Sequence, residues 1–157
     1  MVSGEWRGSR RVTLALHGRS FPTDEEWAEF IALVRRVFDE VGWSTEKVVG
    51  IAVTDGGAPT ARHRLQLREM FAGHEAARAA LLTTSRLARG IGIAVSLFLP
   101  RVRIFAPRDV GAAARHLGLR DDELDGLGDE IERLGAPLHL ASVEELMSAL
   151  RGRRRAS

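Results

Sequence analysis

Along this chain short apolar runs alternate with stretches whose apolar residues recur every three or four positions, and the alternation holds as far as Gly118. The first run, residues 12–16, is β-branched at its start and stops at His17-Gly18, which predicts a strand. The period then changes. Thr23 and Glu26 have capping-box spacing, and Trp27, Phe30, Ile31, Val34 and Val41 fall on one stripe closing at Gly42, so a helix follows. Residues 48–53 form a compact apolar run between Lys47 and Asp55-Gly56-Gly57, as expected of a central strand buried on both faces. Thr60 caps a second helix running toward Gly73, and residues 79–82 predict a third strand. Thr84 or Ser85 caps a third helix in which Leu87, Ile91, Ala94, Val95 and Phe98 face the core, and Pro100 ends it. Residues 102–105 make the fourth strand. Asp109 opens a fourth helix through Leu117, with Gly118 placed for a left-handed cap.

Residues 120–150 differ in character. Two helical patterns flank Gly135-Ala136-Pro137: Leu124, Leu127, Ile131 and Leu134 stripe the first despite Gly126 and Gly128. Ser142 with Glu145 caps the second, striped by Val143, Leu146, Met147 and Leu150. Residues 138–140 fit an added edge strand. Strand–helix alternation of this kind predicts an α/β domain with a sheet of four to five strands, followed by a helical extension and a basic tail at 151–157. With 157 residues, 45% of them hydrophobic and 28% charged, the chain has the size and composition of one domain with its own core.

The order of elements carries a resemblance. A strand, a helix, a strand ending in an Asp-containing loop at a helix start, two more strand–helix units and a closing helix that ends His116-Leu117-Gly118-Leu119 together resemble a STAS domain, the anti-sigma-factor-antagonist-like fold. The resemblance spans residues 12–119, the STAS-like core of the single domain, and rests on element order more than on identities. It implies a regulatory or scaffold module working through protein–protein contacts, with a hydroxyl at the helix start that a partner kinase phosphorylates. In that family the loop often carries an Asp-Ser-Ser-Gly-like motif. Here the stretch is Thr54-Asp55-Gly56-Gly57-Ala58-Pro59-Thr60: Asp55 takes the acidic position, Thr60 supplies a hydroxyl, and the serine pair is missing. The chain is also similar to SpoIIAA-like and SEC14-like STAS relatives, which implies lipid or other apolar-ligand binding as an alternative.

The same loop can be read physically. Gly56 and Gly57 permit unusual backbone angles, and free N–H groups at the head of the Thr60-capped helix would accept an anion. Arg62, Arg64 and Arg68 follow within two turns, near enough to pair with a phosphate on Thr60 or with an acidic partner. The simpler reading makes Asp55-Gly56-Gly57 a strand-to-helix turn and Thr60 only a cap. Neither a Walker loop nor a G-x-G-x-x-G fingerprint is present, and no G-x-S-x-G elbow marks a hydrolase nucleophile. Cysteine is absent, which excludes disulfides and thiol chemistry, and the five histidines lack zinc-site spacing, so neither metal nor cofactor is expected. His17 and His63 stand where they could meet near the loop, so an uncharacterised enzyme using His17, His63 and Asp55 is a third possibility. The acidic triplets Asp24-Glu25-Glu26 and Asp121-Asp122-Glu123 read as first-turn charges favouring helix dipoles.

Charge changes the picture once more. The net +2 hides segregation: residues 62–120 are arginine-rich with only Glu69, Glu75 and Asp109 opposed, whereas residues 121–145 are acidic with Arg133 alone opposed. The acidic C-terminal segment is expected to pack across the basic face, within the chain or in a homodimer, against the simpler reading of a solvated surface with a frayed tail. Nucleic acid is disfavoured, because aromatics are 6% and tyrosine is absent. The longest apolar stretch, 91–99, is broken by Ser96 and falls short of the roughly 20 residues that span a bilayer. With no apolar leader at the start, a cytoplasmic protein is expected. The reading that results is a non-enzymatic regulatory module with an unidentified protein partner, and the anion or partner site is Asp55, Gly56, Gly57, Thr60, Arg62, Arg64 and Arg68. The alternative is an apolar small-molecule or lipid binder with a pocket beside the 91–98 helix.

Overall fold

The computed structural model describes residues 1–75, 77–86, 88–90 and 101–156. Strands β1 (Val2–Arg7), β2 (Arg11–His17), β3 (Val48–Thr54), β4 (Ala79–Thr83) and β5 (Val102–Phe105) form one sheet in sequence order. β1 lies antiparallel to β2, and β2 through β5 run parallel. Parallel neighbours need crossovers. Helix α1 (Asp24–Glu40) supplies the first and α2 (Ala61–Met70) the second, while α3 (Val110–Leu117), α4 (Leu124–Gly135) and α5 (Ala141–Ala156) follow the last strand. The α/β architecture with a helical C-terminal segment is thus as the alternation predicts.

Period-2 alternation sorts the side chains of the parallel strands onto two unlike faces. Val12, Leu14 and Leu16 of β2, Val49, Ile51 and Val53 of β3, and Ala80 and Leu82 of β4 join the buried residues of α3, α4 and α5 in the main core. Leu117 and Leu146 are fully enclosed there. The opposite face meets α1 and α2, where Val34, Val37, Phe38, Val48 and Met70 form a smaller cluster. Thr23 caps α1 as its spacing predicts: its hydroxyl accepts from Glu26 N–H at 3.2 Å, and Glu26 accepts from Thr23 N–H at 2.9 Å.

Several local expectations are corrected. The fifth strand is β1 at the N-terminal end, and not residues 138–140, where a single 3-10 turn (Ala136–Leu138) leads to His139 at φ 48°. β1 escapes a hydrophobicity reading because Gly4 replaces an apolar side chain; a Cβ there would lie 2.6 Å from Leu134 of α4. Gly128 has the same use inside α4, since a Cβ would stand 2.5 Å from Leu150 of α5. Asp109 makes no side-chain cap; α3 grows out of a 3-10 turn, Pro107–Asp109, and Gly118 closes it at φ 70°. Residues 151–156 are not frayed but helical, within α5.

The expected charge pairing takes a different route. The acids of α4 and the turn before it meet the arginines of α5: Arg153 pairs with Asp121 at 2.7 Å, and Arg154 with Asp125 at 2.6 Å and Asp129 at 3.4 Å. All of these groups are well exposed, so solvent screens the pairs and they add little to stability. The acidic triplets do more than favour dipoles. Glu123, almost wholly buried, accepts from Ser9 Oγ at 2.8 Å and from the backbone N–H groups of Ser9 and Arg120, tying the β1–β2 turn to α4.

Ser85 acts as the cap foreseen for the third helix, accepting from Ala88 N–H at 3.2 Å. The rest of that helix, with Leu87, Ile91, Ala94, Val95 and Phe98, lies outside the described residues. Truncating Leu146 to Ala removes enclosed contacts between α5 and the sheet. It is expected to cost about 2–5 kcal/mol, read as a lower urea midpoint at an unchanged m-value.

Candidate functional site

The register of the parallel strands lines up residues across the sheet face that α1 and α2 cover. Thr13, Gly50 and Ala79 form one row, and Ala15, Ala52 and Leu81 the next. Five of these six side chains are small, so the helices cannot close onto the sheet floor as tightly as they do on the other face. A cavity of about 180 Å³ results. Its floor is those rows, its roof is Trp27, Phe30, Val34 and Phe38 of α1 with Leu67 and Phe71 from α2 and its end, and its lining is overwhelmingly apolar. Arg78 is the charged side chain in that lining among the described residues, and Ala88 and Val102 also border it.

The polar end of the cavity lies at the carboxyl ends of β2, β3 and β4, where open α/β sheets place ligands. His17, Thr54 and Thr83 make the third cross-strand row. Thr54 Oγ1 lies 2.8 Å from Gly57 O, 3.1 Å from Gly56 N and 3.2 Å from His17 Nδ1. A hydroxyl has one proton and two lone pairs. The proton goes to the Gly57 carbonyl, the shortest contact, and the lone pairs accept from Gly56 N–H and from His17 Nδ1–H. This network assigns His17 the tautomer protonated on Nδ1, leaving a lone pair on Nε2. Burial holds the imidazole neutral by lowering its pKa to about 4; the positive amino terminus adds to that and Glu26 opposes it.

Most of the residues singled out in and after the loop are already occupied by other parts of the chain. Asp55 accepts from the N–H groups of Ala141 and Ser142, both at 2.8 Å, and so caps α5 from another part of the chain. Ser142 does not act with Glu145 as expected; its hydroxyl donates to Thr54 O at 2.9 Å. The N–H groups expected to be free for an anion are in use: Asp55 donates to His17 O, Gly56 to Thr54 Oγ1 and Gly57 to Gly18 O. Gly57 admits no side chain, since a Cβ would lie 2.7 Å from Gly18 O and closer still to Ser20 O.

Thr60 is the cap of α2: its hydroxyl accepts from His63 N–H at 3.2 Å, and its own N–H points to His63 Nδ1 at 3.4 Å. The buried His63 ring stacks on Trp27 at 4.8 Å and meets Asp24 at 3.0 Å. That bond, with Arg62 at 3.2 Å, holds the Asp24 carboxyl below its usual pKa. Arg64 donates to Pro59 O at 2.8 Å, and Arg68 is exposed in the last turn of α2. The proposed enzymatic trio is therefore divided among three tasks: His17 bonds Thr54, His63 bonds Asp24 and Asp55 caps α5.

No protein-family model, curated protein or solved structure matches this chain. The site accordingly rests on its geometry. Among the described residues there is no cluster of three or more metal-ligating side chains and no helix long and apolar enough to cross a membrane. The apolar run 48–53 predicts a strand buried on both faces and so hides the cavity, which lies beneath α1 and α2. The signal was the second parity: the positions alternating with Val12, Leu14 and Leu16, and with Val49, Ile51 and Val53, are small or polar.

Two outcomes test this arrangement. Asp55→Ala leaves two helix-end N–H groups unsatisfied and is expected to lower stability by about 1–2 kcal/mol in urea unfolding. His17 gives a pH signature. Its pKa is about 4 folded against 6.5 unfolded, so below pH 6.5 the unfolded chain binds protons that the native state refuses. Its stabilising contribution is complete above pH 6.5 and is lost as the pH falls toward 4, by on the order of 3 kcal/mol in all. Urea midpoints at pH 7 and pH 5 should differ less in His17→Leu than in the wild type.

Proposed function

We propose that this protein is a non-enzymatic binding module on a STAS-like scaffold that takes a small apolar molecule into the cavity beneath α1 and α2. The observation that carries the reading is the cavity itself, about 180 Å³ with an almost entirely apolar lining. Loosely packed space of that size forfeits dispersion contacts that an apolar ligand would restore, and apolar cavities of roughly 150 Å³ bind benzene-sized molecules. The scaffold assignment is supported by sequential strand order with helical crossovers, the element order that carried the resemblance. The chemistry of the lining favours a ligand over catalysis, because His63 and Asp55 are engaged elsewhere and do not join His17 in the lining.

A protein partner is a second reading, favoured by the outer face of α2, where Leu65 is 47% exposed beside the exposed Arg62 and Arg68. Phosphorylation of Thr60 suits it less well, because that hydroxyl is the accepting arm of the α2 cap.

Toluene is the probe for the cavity. Titration calorimetry should detect its uptake by the wild type, with loss of uptake in Ala52→Leu, which fills the floor. The same substitution should leave stability unchanged or raise it by about 0.5–2 kcal/mol, as cavity filling does. A wild type that does not take up toluene, or an Ala52→Leu variant that takes it up equally, overturns the reading.

A further inference from the structure

We propose that the ligand of this cavity is an uncharged molecule with an apolar body and one hydrogen-bond donor, such as a hydroxyl, and that the donor is received by Nε2 of His17. The inference rests on the cavity being a binding site and adds the chemical class of what it binds.

Three observations converge on His17. It lines the cavity and is itself 6% exposed. Its Nδ1 is committed to Thr54 Oγ1 at 3.2 Å, and the other bonds of Thr54, to Gly57 O and Gly56 N, leave that nitrogen the donor role. Its Nε2 has no hydrogen-bond partner among the described residues and is not one of the sealed, unsatisfied atoms of the interior, which are Arg11 NH2 and Trp27 Nε1. The ring therefore offers the cavity an acceptor fixed in tautomer by its neighbours, of the kind that orients a ligand in an otherwise apolar site.

The walls then select among ligands. A molecule with an acceptor alone gains nothing from a lone pair, and an anion would leave water for a mostly apolar lining in which the Met1 ammonium is already paired with Glu26. A hydroxyl on an apolar body satisfies the one acceptor and buries the rest. Arg78 also lines the cavity and provides the competing anchor, which would favour a carboxylate instead. The two anchors make opposite predictions.

The test uses the full chain and four probes with one ring each: toluene, anisole, p-cresol and p-toluate, titrated at pH 7. p-Cresol should bind roughly three- to tenfold more tightly than toluene, the range expected of one net hydrogen bond, with anisole close to toluene and p-toluate weakest. In His17→Leu the advantage of p-cresol should disappear while toluene still binds. If that variant fails to fold, nitrogen NMR of labelled histidine in the wild type gives the same answer, because p-cresol but not toluene should shift the Nε2 resonance. Toluene binding with no preference for p-cresol, or with no Nε2 response to it, overturns the anchor and leaves the cavity reading intact. Tighter binding of p-toluate also overturns it and assigns the polar anchor to Arg78, at the amino end of β4. Failure of all four probes overturns the cavity reading and the anchor together.

Discussion

Thr54 and Asp55, the two residues at which the central strand ends, hold together elements from four parts of the chain. The Asp55 carboxylate receives two backbone N–H groups at the head of α5, and the Thr54 carbonyl accepts from both Ser142 Oγ and Thr83 Oγ1. The Thr54 side chain ties in the Gly56-Gly57 turn and the end of β2 through His17. Charge-assisted bonds to a helix start are among the stronger hydrogen bonds, and here they set where α5 begins and hence which of its residues reach the core. The junction has little freedom to carry any other ligand. A loop that reads as an open anion cradle is instead a joint whose donors and acceptors are consumed by the fold.

The two sheet faces follow from that joint and from strand parity. One face carries branched side chains and is packed by three helices that follow the last strand. The other carries glycine, alanine and threonine beneath large aromatic residues from α1. Bulk has moved from the sheet to the helix, and bulky rings bridging a floor of small residues leave space between their points of contact. The neutral imidazole at the strand ends is a consequence of the same enclosure, since burial disfavours its charged form.

Much of this fold was legible in the sequence because it depends on local periodicity. The capping box of α1, the left-handed Gly118 and the apolar runs of β2 and β3 are short-range features, written within a few residues of where they act. What escaped depends on contacts distant in sequence. β1 is a strand because Gly4 lets Leu134 approach and because β2 pairs with it, and neither is visible from residues 2–7 alone. Asp55 lies 86 residues from the N–H of Ala141 that it caps, and Ser9 lies 114 residues from Glu123. The candidate site was half legible: the loop and His17 were picked out, but the cavity arises only when three strands are placed side by side.

The cavity also has a mechanical consequence. A folded chain whose helices and sheet leave about 180 Å³ between them, partly open to the surface, is packed less tightly there than on the opposite face. Hydrostatic pressure therefore acts against the native state most directly at the sheet face beneath α1 and α2, while the opposite face, closed by Leu117, Ile131 and Leu146, has little volume to surrender. Compression would open this molecule from one side.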